Sequence, residues 1–123
     1  MSTKIWKDFE ILNEQHWIAA DFRGRGEMHF RGQLRFSGTW LGSIRSDDPE
    51  ACLFVLKGAR MEGLIEVANV IVGGDLVDVN LQAKVFEALA GSRVSGCVRA
   101  GRLRVEEGAL LEGEITSLSA PGP

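Results

Sequence analysis

Four phrases in this chain share one form, an apolar residue, any residue, glycine, any residue and a second apolar residue. They are WLGSI (Trp40 to Ile44), MEGLI (Met61 to Ile65), VSGCV (Val94 to Val98) and LEGEI (Leu111 to Ile115). A fifth, VDVNL (Val77 to Leu81), has Val79 where the glycine is expected. The central residues are then 21, 16, 17 and 17 positions apart. The long first interval contains SDDPEA (Ser46 to Ala51), which reads as a turn-like insertion around Pro49.

Within each unit the apolar residues alternate, as in Leu34, Phe36, Gly38, Trp40, Gly42, Ile44 and again in Ala59, Met61, Gly63, Ile65, Val67. A period of two is the signature of a strand with one buried face. Superposed units give one column of Trp40, Met61, Val77, Val94 and Leu111, and another of Ile44, Ile65, Leu81, Val98 and Ile115. Such columns arise when each unit is one coil of a solenoid whose strands pair in parallel with those of the next, about 4.8 Å along the axis. The glycine column then marks the tightest bend, where an inward Cβ is expected to crowd the lumen.

The expected fold is therefore all-β, a parallel β-helix of about six coils preceded by a short apolar segment. With 45% hydrophobic and 25% charged residues, the 123 residues suit one soluble domain. We divide the chain into residues 1–21, a cap or membrane-contacting segment; 22–118, the coils; and 119–123, a short tail. A net charge of -3, with Lys and Arg scattered among acids, leaves no footprint for nucleic acid. No signal-peptide pattern or membrane-spanning run is evident, so a cytoplasmic location is expected, with Cys52 and Cys97 kept as thiols.

Chemistry-bearing motifs are sparse. Gly24 to Gly26 (GRG) and Val72 to Asp75 (VGGD) carry no phosphate-loop lysine, so no nucleotide is expected, and no other cofactor. Asp47, Asp48 and Glu50 lack calcium-loop spacing and read as a solvated turn rather than a metal site. A β-helix acyltransferase would need a sustained hexapeptide period and a positioned imidazole. The coils here are 16 to 17 residues long, and the two histidines are His16, ahead of the coils, and His29, read as a strand-surface residue. No catalytic residue is assigned.

The stretches LRFSGTWLGSIRS (Leu34 to Ser46), GARMEG (Gly58 to Gly63) and LRVEEGALLEG (Leu103 to Gly113) closely resemble the bactofilins, the polymer-forming bacterial cytoskeletal proteins. The likeness runs from about Arg25 to Leu118. It implies a right-handed, three-sided β-helix, nucleotide-independent filaments joined through the helix tips, and work at the inner membrane in cell shape or cell-wall synthesis, where a wall enzyme is an implied partner. The chain departs from the family pattern at Leu111, where an aromatic is favoured, and at Val79, where glycine is.

Elementary physics points to self-association as well. A parallel solenoid has two ends, each exposing unpaired backbone above an apolar core, and such edges are capped or paired. Leu111, Ile115 and Leu118 are expected at the C-terminal tip, available to another copy. At the other end, Ile5, Phe9, Leu12 and His16 would share one side of a helix, with Trp6 and Trp17 at its margin. A strand with Phe9 and Ile11 alternating fits nearly as well. Ile5, Trp6, Phe9 and Leu12 are thus candidates either to cap the first coil or to enter a membrane interface. A third arrangement is a non-polymerising scaffold whose outward residues, among them Arg60, Glu62, Glu66, Arg93, Arg99, Arg102 and Arg104, dock a partner.

Overall fold

The computed structural model describes residues 8–11, 15–18 and 22–117, and these form a parallel β-solenoid of about six coils. The first strands are β1 (Asp8–Ile11), β2 (Gln15–Ile18), β3 (Arg23–Phe30) and β4 (Gln33–Phe36). There follow β5 (Thr39–Arg45), β6 (Cys52–Val55), β7 (Arg60–Glu66) and β8 (Asn69–Val72). The last are β9 (Asp75–Ala88), β10 (Arg93–Val105) and β11 (Leu110–Ser117). Every pairing is parallel and joins one coil to the next.

Each coil has three short walls. In the coil that begins at β5, wall one runs from Thr39 to Leu41, Gly42 at φ 131° redirects the chain, wall two runs from Ser43 to Arg45, and β6 is wall three. The return to wall one is made by a repeated β-turn. Leu56 O accepts from Ala59 N, Leu89 O from Ser92 N, and Glu106 O from Ala109 N, at 3.0, 3.1 and 3.1 Å. The third residue of each turn is a glycine with positive φ, Gly58, Gly91 or Gly108, as a type II turn requires.

The core is a set of stacked columns. Met28, Ile44, Ile65, Leu81 and Val98 are buried in mutual register beneath Ile115, so the second column reads as expected. The first column differs by one residue: Trp40, Met61, Leu76, Val94 and Leu111 are in register, and Leu76 takes the place expected for Val77. The cause is a bulge. Between Glu62↔Val77 and Leu64↔Asn80, two residues, Asp78 and Val79, oppose Gly63 alone. Asp78 adopts φ 51°, and Val79 keeps the register place opposite Gly96 while remaining buried. Val77 is thereby turned to the outward row beside Glu62.

The glycines are required for a reason other than lumen crowding. A Cβ on Gly63 would fall on the carbonyl oxygen of Gly42, one coil away, and a Cβ on Gly42 on that of Gly26. The obstruction lies along the solenoid axis, at the neighbouring peptide. Gly26, in the GRG stretch, is therefore the first member of the column.

At the N-terminal end, β1 pairs with the second half of β3 and β2 with β4, so the strand alternative holds for these residues rather than the helix. Phe22 stacks on the Trp40 ring at 6.3 Å and meets Phe36 edge-on at 5.9 Å. The indole N–H of the buried Trp40 donates to Ser43 O at 3.3 Å.

The insertion is more than a solvated turn. Asp47 is largely exposed, 3.8 Å from Arg31. The Asp48 carboxylate accepts from Gly32 N at 3.0 Å and from Glu50 N at 2.9 Å, tying the loop to the preceding coil. Those two N–H donors hold its pKa below the ordinary carboxylate value.

Candidate self-association surface

The C-terminal tip is built by β11 on walls one and two and by the end of β10 on wall three. Among the described residues β11 pairs with β10 alone, and Arg102 to Val105 of β10 pair with β9 alone, so no described strand pairs the outer edge of either. Leu111 and Ile115 are the last described members of the two inner columns and are half-buried, in register with Val94 and Val98. The structure thus brings these two expected tip residues together. Leu118 lies outside the described residues.

Three apolar residues at this tip escape a reading based on the glycine phrases. Leu103 and Val105 stand in register with Phe86 and Ala88, which are fully buried, yet Leu103 is half-buried and Val105 is 46% exposed. Leu110 is 50% exposed on the outward row of wall one, next to Arg93. Applying the same 17-residue interval to Phe86 and Ala88 would have found the first two, since their equivalents are Leu103 and Val105. Around them the tip alternates in charge, with Glu112 and Glu114 outward on β11 and Arg102 and Arg104 outward on wall three, all exposed.

At the N-terminal tip β1, β2 and residues Arg23 to Gly26 of β3 each pair with one strand only among the described residues. Phe9 lies in β1, in register with the buried Met28. Ile5, Trp6 and Leu12 lie outside the described residues. No helix among the described residues is long and apolar enough to cross a membrane.

The remaining chemistry-bearing residues are dispersed. His29 is on the outer surface, as its strand position suggested, 3.9 Å from Glu27. His16 lies in β2 in register with Leu34, distant in register from His29. Cys52 and Cys97 are free and half-buried on different walls, and burial pushes the Cys52 thiol pKa up. Arg60 pairs with Glu62 at 3.0 Å and Arg45 with Glu66 at 3.3 Å, both at the solvent face. Among the described residues no group of three His, Cys, Asp or Glu side chains is placed to hold a metal ion.

Comparison with curated proteins and with solved structures finds no match. The family model described as Bactofilin, polymer-forming cytoskeletal, matches residues 16–116, the span from β2 to the penultimate residue of β11. With the repeat, the parallel solenoid and the open tips already in view, this match shows that the chain belongs to the bactofilin family.

Proposed function

We propose that this protein is a non-enzymatic cytoskeletal scaffold that polymerises through its coil ends without nucleotide, in the cytoplasm, and organises cell shape or cell-wall synthesis at the inner membrane. The observation that carries this reading is the C-terminal tip, where, among the described residues, the strand edges at Leu103, Val105, Leu111 and Ile115 pair on one side only and these side chains end the core columns. Covering these residues removes apolar surface from water and pairs the exposed backbone in the same step. Ile5, Trp6, Phe9 and Leu12 serve to cap the first coil or to contact the membrane surface, and a cell-wall enzyme is the partner the scaffold would position.

The test is sedimentation and negative-stain microscopy of the purified chain, with and without nucleotide and with and without residues 1–22. Polymers that pellet equally in the absence of nucleotide are expected. A parent chain that stays monomeric at high concentration would leave a non-polymerising adaptor as the better reading. That alternative draws support from outward apolar residues amid charged ones, Leu41 at 39% exposure on wall one and the half-buried Phe54 and Ile71 on wall three.

A further inference from the structure

Wall three differs from the other two walls in what it turns outward. The outward rows of wall one carry Arg60, Glu62, Asp75 and Arg93, and those of wall two Glu27, His29, Arg45 and Glu66. In the middle coils the outward row of wall three reads Arg35, Phe54, Ile71 and Glu87, one residue per coil, each in register with the next and each half-buried. Phe54 and Ile71 alternate with Leu53, Val55, Val70 and Val72, which fill the core, so both are fixed on the outer face. The Arg35 guanidinium lies over the Phe54 ring, 5.1 Å from its centre. Leu56 and Leu89, one residue past β6 and β9, extend the apolar strip; Leu89 leans over Gly73, 3.8 Å from where a Cβ there would stand.

Along the solenoid axis the row runs positive, apolar, apolar, negative, and that order is its own complement when reversed. A two-fold axis parallel to the strands, passing between β6 and β8, sets Arg35 of one copy opposite Glu87 of the other and Phe54 opposite Ile71, each contact occurring twice. The same operation brings Leu56 against the Leu89 that leans over Gly73. A two-fold along the solenoid axis would instead set Arg35 on Arg35 and Glu87 on Glu87, like charges that disfavour contact. Charge therefore selects the arrangement with opposed axes.

We propose that wall three is a lateral docking face whose occupant is wall three of a second copy, the two solenoids lying side by side with their axes opposed. The proposal rests on the polymer reading above and adds a contact that the coil ends do not make. Four strands about 4.8 Å apart, each contributing a few residues at ~3.3 Å, span roughly 250 Å². A stable complex buries about 800 Å² per partner, so isolated chains pair weakly through this face. A polymer that presents the face repeatedly makes each further contact intramolecular, and two polymers then hold together.

The test is a charge exchange read by negative-stain microscopy, as the fraction of filament length lying in side-by-side pairs, and by sedimentation. Arg35→Glu and Glu87→Arg should each lower the paired fraction by at least about tenfold, since like charges then face each other. The two exchanges in one chain should restore it, which also shows that the exchanged residues are compatible with the fold. Phe54→Ser with Ile71→Ser should leave single filaments at an unchanged assembly concentration. Single exchanges that pair as the parent does, a double exchange that fails to recover, or paired filaments after loss of Phe54 and Ile71 would overturn the proposal. Should the face instead dock a lipid surface, Phe54→Ser with Ile71→Ser would reduce co-sedimentation with anionic vesicles and leave pairing intact, which also overturns it. A parent that forms only single filaments removes this proposal and leaves the polymer reading standing, whereas a parent that forms no filament removes both.

Discussion

Val105 lies in register with Ala88, one coil below it, yet Ala88 is fully buried and Val105 is 46% exposed. The two occupy the same inward position of wall three. Ala88 has a described strand on either side, at Val72 and Val105, whereas Val105 has one on one side only, and the difference in exposure follows from that.

Leu111→Arg should therefore abolish or strongly weaken assembly. Burying a leucine-sized side chain contributes about 1.5–3 kcal/mol, so losing it at one tip raises the dissociation constant by about 10- to 150-fold. Because Leu111 belongs to the last strand, the coils beneath keep their pairing and the β-type circular dichroism should persist. Leu118→Arg is the milder companion. Sizing chromatography alongside circular dichroism checks both, and a polymer of unchanged size would count against the tip.

Gly63→Ala and Gly58→Ala should separate two kinds of glycine requirement. Both positions have positive φ, 120° and 92°, but a Cβ at Gly63 meets the Gly42 carbonyl whereas one at Gly58 meets nothing. Backbone strain alone costs about 1–3 kcal/mol, and that is the loss expected at Gly58. Gly63→Ala should lose more than this, because the neighbouring coil must also move. Equal midpoints in urea would refute the axial-contact explanation.

Trp40→Ala should lower stability by about 3–5 kcal/mol, the range for deleting a large buried aromatic. The ring is fully buried, stacked on Phe22 and in register with Met61, so its removal leaves a cavity between coils. Urea unfolding measures the loss. A change below about 1 kcal/mol, the scale of ordinary surface substitutions, would mean the column collapses onto the space.

Asp48 should contribute an acid-sensitive clamp. Its folded pKa is lowered from 3.8 because Glu50 N and Gly32 N donate to the carboxylate. A group with a depressed folded pKa stabilises the fold above its unfolded value, and the contribution disappears as pH falls through the folded value. Asp48→Asn offers one acceptor oxygen for two donors and cannot titrate. It should be less stable than the parent at neutral pH, and the difference should shrink as pH drops below about 3.9, the ordinary aspartate value. An unchanged gap from pH 6 to pH 2 would show that the carboxylate charge is not involved.

Phe9→Glu, alone and with Trp6→Glu, should show which role the N-terminal segment has. If it caps, the charge placed opposite Met28 lowers the melting temperature with no effect on vesicles. If it contacts membrane, co-sedimentation with anionic vesicles falls while the melting temperature holds. Variants indistinguishable from the parent in both measurements would remove both roles.

The second inner column was legible in the sequence from Ile44 to Ile115, and so was the central glycine of four of the five phrases. These are repeated local patterns: period two along a strand and a near-constant interval between coils. The first column was misread at one place because Leu76, Val77, Val79 and Leu81 are all apolar. Either phase of the alternation satisfies them, and the choice between Leu76 and Val77 depends on a bulge that shows only in the pairing with Gly63.

Much the same distinction runs through the whole molecule. By itself the sequence pointed to stacked parallel coils, to the inward face of most strands and to the recurring glycine, because alternating apolar residues bury one face of a strand and a near-constant interval stacks like residues in columns. The tertiary structure decided what depends on neighbours far away in the chain. It set Asp8–Ile11 and Gln15–Ile18 as strands rather than a helix, since their backbone groups are paired by Glu27–Phe30 and Gln33–Phe36. It made Asp48 a clamp on Gly32, and it left Leu103 and Val105 uncovered. Edge and interior strands of a solenoid carry the same alternation, so only the pairing on either side tells an end from a middle.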